Sequence, residues 1–336
     1  MDIKNSINKI FSIQILFLLL LTVVSGAQVV DSNLIIGEYT ISKVTDGDTF
    51  RFDGLDAPTR LLGIDTEETF KDKNAREKSY EISLDWPREY YLIQSQKKNG
   101  FPVKCDSPFG FETWEWAKDF TKDVTSVRIE KDDTTRGMDA YGRYLVYLMM
   151  KKDGKYVNYN LECVRLGYSP YYNKYGNSKR FHKEFIEAQE YARKNKLGIW
   201  DKKNKCYPDY DKRIIWWNKR ASQIENFEKK FATFENYFNL MNDGEYERMS
   251  KYIGKEVIIF GTISEILNQK YPILLRFSIR KNVNFDAVIY EENESLLNDL
   301  NIDEIKEYYI YLKGKLTEYN GRLQIVLNEK SQLLLD

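Results

Sequence analysis

The chain has 336 residues, with 51 Lys and Arg balanced by 51 Asp and Glu, one His and three Cys. Zero formal charge argues against very tight, sequence-blind binding to nucleic acid through a global basic field, although a local groove can still be positive. The length allows a large core and two domains, and the cysteine spacing offers no zinc motif.

Residues 1–27 read as an export signal. Lys4 and Lys9 give a positive start, residues 10–24 are almost wholly apolar, and Ser25-Gly26-Ala27 offers small residues for cleavage. The apolar run falls short of the roughly 20 residues of a membrane span. A cleaved signal and a secreted product are therefore expected, with an uncleaved N-terminal anchor as the alternative. Nothing later reads as transmembrane, so any membrane contact is transient. Cys163 sits in a helical pattern as a small core residue, which leaves Cys105–Cys206 as the favoured bridge.

From residue 35 to about 64 the pattern is strand, turn, strand, turn, strand. Tyr39, Ile41 and Lys43, then Thr49 and Arg51, alternate with outward residues, and Asp53-Gly54 signals a hairpin. Two acidic segments stand out: Asp46-Gly47-Asp48-Thr49, and the end of Arg60-Leu61-Leu62-Gly63-Ile64-Asp65-Thr66-Glu67-Glu68. Strand side chains change face at every residue. The second segment thus delivers an Asp, a Thr and a Glu where the chain leaves the sheet and oxygens can converge on a cation. Carboxylate and carbonyl oxygens suit a hard ion such as calcium or magnesium rather than zinc. Such an ion beside a carboxylate and an Arg suits phosphate chemistry. Residues 69–107 read as a polar insert with turn signals at Asp85-Trp86-Pro87 and Gly100-Phe101-Pro102, expected to be a surface loop, with a lid or binding rim as the alternative.

A helix is predicted over 111–124, where Trp114, Ala117 and Phe120/Thr121 recur at helical spacing. Strands follow at 126–131 and 144–150, with a loop between them carrying Tyr141-Gly142-Arg143. A second helix over 157–166 stops at Gly167. A third runs from Asn177-Ser178 to about Lys194, with Phe181, Phe185, Ala188 and Ala192 inward and His182 at the surface. Ile214, Trp217, Ala221, Ile224, Phe227, Phe231, Phe234, Phe238 and Met241 form one apolar stripe. It predicts a long helical connector over 207–250, docked on one or both domains or paired with another chain as a coiled coil. Period two returns from Gly254, with strands at 256–264, 272–279, 285–290, 308–319 and 322–327 and a segment that can be helical at 295–307.

Thr45-Asp46-Gly47-Asp48-Thr49, the run from Arg60 to Glu68, and Tyr141-Gly142-Arg143 together resemble the staphylococcal nuclease (thermonuclease) family in order and spacing, as does Leu197-Gly198-Ile199-Trp200. The resemblance spans about residues 36–200, with an insert at about 69–108 where the family's connection is much shorter. It implies a mainly β fold with α: a nuclease-type OB barrel of five strands and three helices over residues 35–206. It further implies a calcium-dependent nuclease that hydrolyses DNA and RNA with little sequence specificity, with Ca2+ as its cofactor. Asp48 and Asp65 would be carboxylate ligands, Thr66 would give its backbone oxygen, and Asp46 would hold their geometry. Glu68 would orient or deprotonate the attacking water, Arg60 and Arg143 would bracket the phosphate, and Tyr141 would meet the sugar or 5′ phosphate. Glu67 stands where the family commonly has Pro, and Glu112 matches a structural Glu of the family.

Gly254-Lys255-Glu256-Val257, Gly261-Thr262-Ile263, Leu312-Lys313-Gly314-Lys315-Leu316 and Gly321-Arg322-Leu323-Gln324-Ile325 resemble OB-fold domains of the nucleic-acid-binding class. A second OB barrel is therefore expected over 251–336, with Phe277, Tyr290 and Tyr319 as candidate stacking rings. The alternative function is a non-catalytic nucleic-acid-binding scaffold of two OB barrels. A third gives the trailing domain the task of holding substrate or an extracellular partner. The oligomeric state is not readable from the sequence.

Overall fold

Strands, some alternating and some largely apolar, build two barrels of the same strand order. The structure, a computed structural model, describes residues 30–72, 74–96, 103–297 and 309–334. The expected signal at 1–27, the Gly100-Phe101-Pro102 turn and most of the 295–307 segment lie outside the described residues.

In the first barrel, β1 (Ile35–Tyr39) and β2 (Ile41–Val44) are two arms of one strand bent at Thr40. The β1 arm pairs antiparallel with β5 (Val127–Glu130), and the β2 arm pairs with β3 (Phe50–Phe52). β3 meets β4 (Thr59–Leu61), where the Thr59 hydroxyl donates to the Phe50 carbonyl at 3.1 Å. β4 runs parallel to β6 (Tyr144–Lys152), which returns antiparallel to β5 and is extended by β7 (Lys155–Asn158). The path of neighbouring strands thus leaves one arm of the bent strand and returns to the other, as in an OB barrel. Phe50, Leu61, Ile64, Val127, Ile129, Val146 and Leu148 fill its interior.

The three expected helices are present with shifted ends. α3 (Pro108–Thr121) begins three residues early because Ser107 caps it, its hydroxyl accepting from the Gly110 amide at 2.8 Å. α4 (Tyr159–Arg165) starts later than expected, because Val157 belongs to β7. α5 (His182–Lys194) buries Phe185, Ala188 and Ala192. His182, expected at the surface, is half-buried, with its Nδ1 3.0 Å from the Tyr171 hydroxyl.

The insert is not a loop. It folds into α1 (Ala75–Ser83) and α2 (Trp86–Ser95). Trp86 and Tyr90, one helical turn apart, are buried with Val103 and Phe109 against Ile199, Tyr207 and Tyr210. Trp86 Nε1 donates to the Cys206 carbonyl at 2.9 Å. This small core was hidden in the sequence because half of it lies more than a hundred residues downstream. The favoured Cys105–Cys206 disulfide is not formed. Cys206 Sγ turns to the carbonyls of Ile199 and Asn204 at 3.5 and 3.8 Å, while the Tyr207 hydroxyl takes both backbone groups of Cys105.

The apolar stripe overstates the connector. α6 (Tyr210–Phe231) buries Ile214, Trp217, Ala221, Phe227 and Phe231, but Phe238 lies in β8 (Tyr237–Asn239), parallel to β9 (Glu256–Thr262). A short α7 (Glu245–Ser250) follows. β9 and β10 (Glu265–Leu267) are again arms of one bent strand. β10 pairs with β11 (Ile273–Arg280), β11 with β12 (Val283–Ile289), and β12 runs parallel to β14 (Arg322–Val326). β14 pairs with β13 (Tyr309–Tyr319), which returns to β9 and also carries β15 (Leu333–Leu334). The order matches that of the first barrel. Phe277 is core, packed edge-on to Phe285 at 5.6 Å, and so cannot stack on a base; Tyr290 and Tyr319 are exposed.

α6 and the turn after β8 tie the barrels together. Trp217 meets Tyr172 edge-on at 4.8 Å, Arg220 lies 4.3 Å over Tyr309, and Phe227 and Phe231 pack on Phe260 and Tyr311. Asp243 Oδ2 accepts from the Gly137 amide at 2.6 Å, and its own amide donates to the Thr135 carbonyl at 2.8 Å. The second barrel thus grips the loop that carries Tyr141 and Arg143.

Candidate active site

The two acidic segments converge because small residues let the backbones close up. A Cβ on Gly47 would fall 2.5 Å from the Thr113 methyl and 2.8 Å from that of Thr66, so the Asp46–Asp48 turn can lie against both α3 and the end of the β4 segment. The Tyr159 hydroxyl pins that turn by donating to the Gly47 carbonyl at 2.8 Å. A Cβ on Gly110 would fall 2.0 Å from the Glu68 carbonyl oxygen. Glycine there lets the start of α3 seat directly on the segment bearing Glu68, where the Ser107 amide donates to the same carbonyl at 3.0 Å.

Within this frame Asp46, Asp48, Asp65 and Thr66 are buried. Arg60 bridges two of the carboxylates: Nη1 lies 2.5 Å from Asp48 Oδ2, and Nη2 donates to Asp65 Oδ1. Asp48 Oδ2 also accepts from the Thr66 amide at 3.0 Å, and Asp46 Oδ1 accepts from the Asp48 amide at 3.2 Å. The Asp65 amide is held by the Ser169 hydroxyl at 2.9 Å. Sequence reasoning did not foresee Lys104, whose Nζ lies 2.6 Å from Asp65 Oδ1. Nor did it foresee the Tyr172 ring, 5.7 Å from the Arg60 guanidinium.

The charges follow from this crowding. Burial pushes Asp46 upward, and the neighbouring charge of Asp48 adds to the shift. Glu68 is raised by burial and by Asp48. Burial alone would raise Asp65 too, but Lys104 and Arg60 outweigh it and hold this carboxyl well below its usual range. Burial disfavours the Lys104 ammonium, yet Asp65 keeps it raised. Excess negative charge held between Asp46, Asp48, Asp65 and Glu68 is what a hard cation would neutralise.

Among the described residues there is no group of three or more His, Cys, Asp and Glu side chains arranged to hold a metal. Asp48, Asp65 and the Thr66 backbone oxygen form a smaller set. Its all-oxygen chemistry fits a divalent ion that keeps several waters.

Arg143 and Tyr141 are not joined to this cluster. Arg143 is engaged with Asp139 of its own loop, with Nε at 2.8 Å and Nη2 at 2.7 Å. Its guanidinium lies 5.5 Å from the exposed Tyr141 ring. Register still brings Arg60 close to Arg143: Arg60 is opposite Leu145, and Arg143 immediately precedes β6.

Glu67, which stands where the family commonly has Pro, fastens the backbone. Its carboxylate is 1% exposed and accepts from the Ser107 hydroxyl, the Tyr207 amide at 2.5 Å and the Tyr210 hydroxyl at 2.9 Å. It therefore ties the site segment, the α3 cap and the start of α6 together. Burial pushes its carboxyl up to about 7 in spite of those three bonds.

A five-stranded OB barrel bearing an Arg-bridged carboxylate pair is a nuclease-type architecture. The family model for staphylococcal nuclease homologues matches residues 58–202. An uncharacterised protein of Methanocaldococcus jannaschii, MJ1439, is 31% identical over 169 residues, covering 49% of this chain and 72% of that protein. The thermonuclease of Staphylococcus intermedius is 26% identical over 167 residues, covering 49% of this chain and 76% of that enzyme. The chain belongs to the staphylococcal nuclease homologue family.

Proposed function

We propose that this protein is a secreted, calcium-dependent nuclease that hydrolyses phosphodiester bonds of DNA and RNA with low sequence specificity. The observation that carries the reading is Arg60 spanning Asp48 and Asp65, with Glu68 close enough to be raised by both of those charges. Likeness to a thermonuclease supports it. The residue roles below and the export are parts of the same proposal.

Asp48, Asp65 and the Thr66 carbonyl would hold the calcium ion, which when bound supplies positive charge to a phosphoryl oxygen. Asp46 fixes the Asp48 backbone and so the direction of its carboxylate. Glu68 takes the proton of the attacking water at its carboxylate; its raised affinity for protons brings it nearer the range in which a general base works. Arg60 and Arg143 offer guanidinium forks that match pairs of phosphoryl oxygens and gain most as charge builds there. Arg143 must exchange its Asp139 partner for phosphate. The new bond forms between water oxygen and phosphorus, and the bond from phosphorus to the 5′-side oxygen breaks. That oxygen takes a proton from solvent as Glu68 later returns its own to solvent, and a 3′-phosphate end remains. Tyr141, exposed beside Arg143, would meet the sugar or the 5′ phosphate.

The test is cleavage of single-stranded DNA by metal-stripped protein before and after calcium is added. The reading requires calcium to restore activity, and failure to do so refutes it.

A further inference from the structure

Lys104 belongs to the insert, yet its ammonium shares Asp65 Oδ1 with the Arg60 guanidinium. Its backbone is held on both sides. Val103 is fully buried and its carbonyl accepts from Arg213 at 2.5 Å; Arg213 is itself buried and paired with Asp209 at 2.6 Å. The Cys105 amide donates to the Tyr207 hydroxyl at 3.0 Å, and that hydroxyl returns a bond to the Cys105 carbonyl at 2.5 Å. Lys104 is therefore set between two clamped residues. Only its side chain, 43% exposed, has room to move.

We propose that Lys104 is a resident counter-ion of Asp65 that sets how tightly the Asp48–Asp65 pair takes a divalent cation. The inference rests on the reading of these two carboxylates as ligands. A divalent ion at Asp65 meets a positive charge 2.6 Å from the same carboxylate. The ammonium must then swing away, losing its ion pair, or stay and repel the ion. Either way the insert weakens metal binding, and it offsets part of the site's negative charge when metal is scarce. Once displaced, the ammonium remains tethered beside the site and can meet an incoming phosphate.

Calcium binding to the full-length protein, measured by titration calorimetry without substrate, separates the outcomes. Lys104→Met, which keeps the apolar stem, should bind calcium about tenfold more tightly or better. Lys104→Gln should do the same, and Lys104→Arg should stay near wild type. Asp65→Asn should bind more weakly than wild type. Thermal denaturation of each variant verifies the fold. If Asp65→Asn weakens binding but Lys104→Met and Lys104→Gln leave it unchanged or weaker, the counter-ion role is overturned and the ligand reading stands. If Asp65→Asn has no effect, both fall.

Discussion

Glu67→Gln tests how the site segment is fastened to the rest of the fold. In the folded chain burial raises the Glu67 carboxyl from 4.5 to about 7. Each tenfold change in proton affinity is worth about 1.36 kcal/mol, so ionised Glu67 costs roughly 3 kcal/mol relative to the unfolded chain. A carboxyl with a raised folded value contributes stability that is fully present below the unfolded value. That stability is lost as pH climbs through the folded value, so the window runs from about 4.5 to about 7. Glutamine does not titrate, and its amide oxygen can still accept from the Tyr207 amide or the Tyr210 hydroxyl. Urea unfolding of both proteins at pH 5 and pH 8 cancels the groups they share. The stability of Glu67→Gln relative to wild type should rise by about 2–3 kcal/mol between the two pH values. An equal difference at both would refute the buried, proton-sensitive clamp.

Two other substitutions probe the contacts that frame the site. Arg213→Leu takes one donor from the Asp209 carboxylate, which keeps the Tyr90 hydroxyl, and removes the guanidinium donor of the Tyr90 hydroxyl and the Val103 carbonyl. It should lower stability in urea by about 3–5 kcal/mol, and a loss below about 1 kcal/mol would contradict the buried pair. Asp243→Ala removes the acceptor of the Gly137 amide. Hydrogen exchange at Gly137 should quicken about tenfold or more, matching the roughly 1.5–3 kcal/mol of a charge-assisted bond, whereas unchanged exchange would detach the second barrel from the Arg143 loop.

The barrels were legible because alternation in β3, β11 and β14 marks one buried face. The site segment was legible because its residues are local: Arg60 to Glu68 spans one strand and its exit. What escaped the sequence depends on distant partners. Lys104 reaches Asp65 across 39 positions, and Glu67 finds its acceptor role through residues 107, 207 and 210. The insert helices bury few residues of their own, since their small core is completed by Tyr207 and Tyr210. The connector stripe misled for another reason. Phe238 and Met241 keep a step of three or four, but the chain leaves the helix after Phe231 so that β8 can pair with β9.

The most direct measurement is single-turnover cleavage of a DNA oligonucleotide by Glu68→Gln beside wild type, in saturating calcium and with binding affinity followed separately. The account predicts that the cleavage rate falls by about a hundredfold or more while oligonucleotide affinity is nearly unchanged. A variant that cuts as fast as wild type would contradict it.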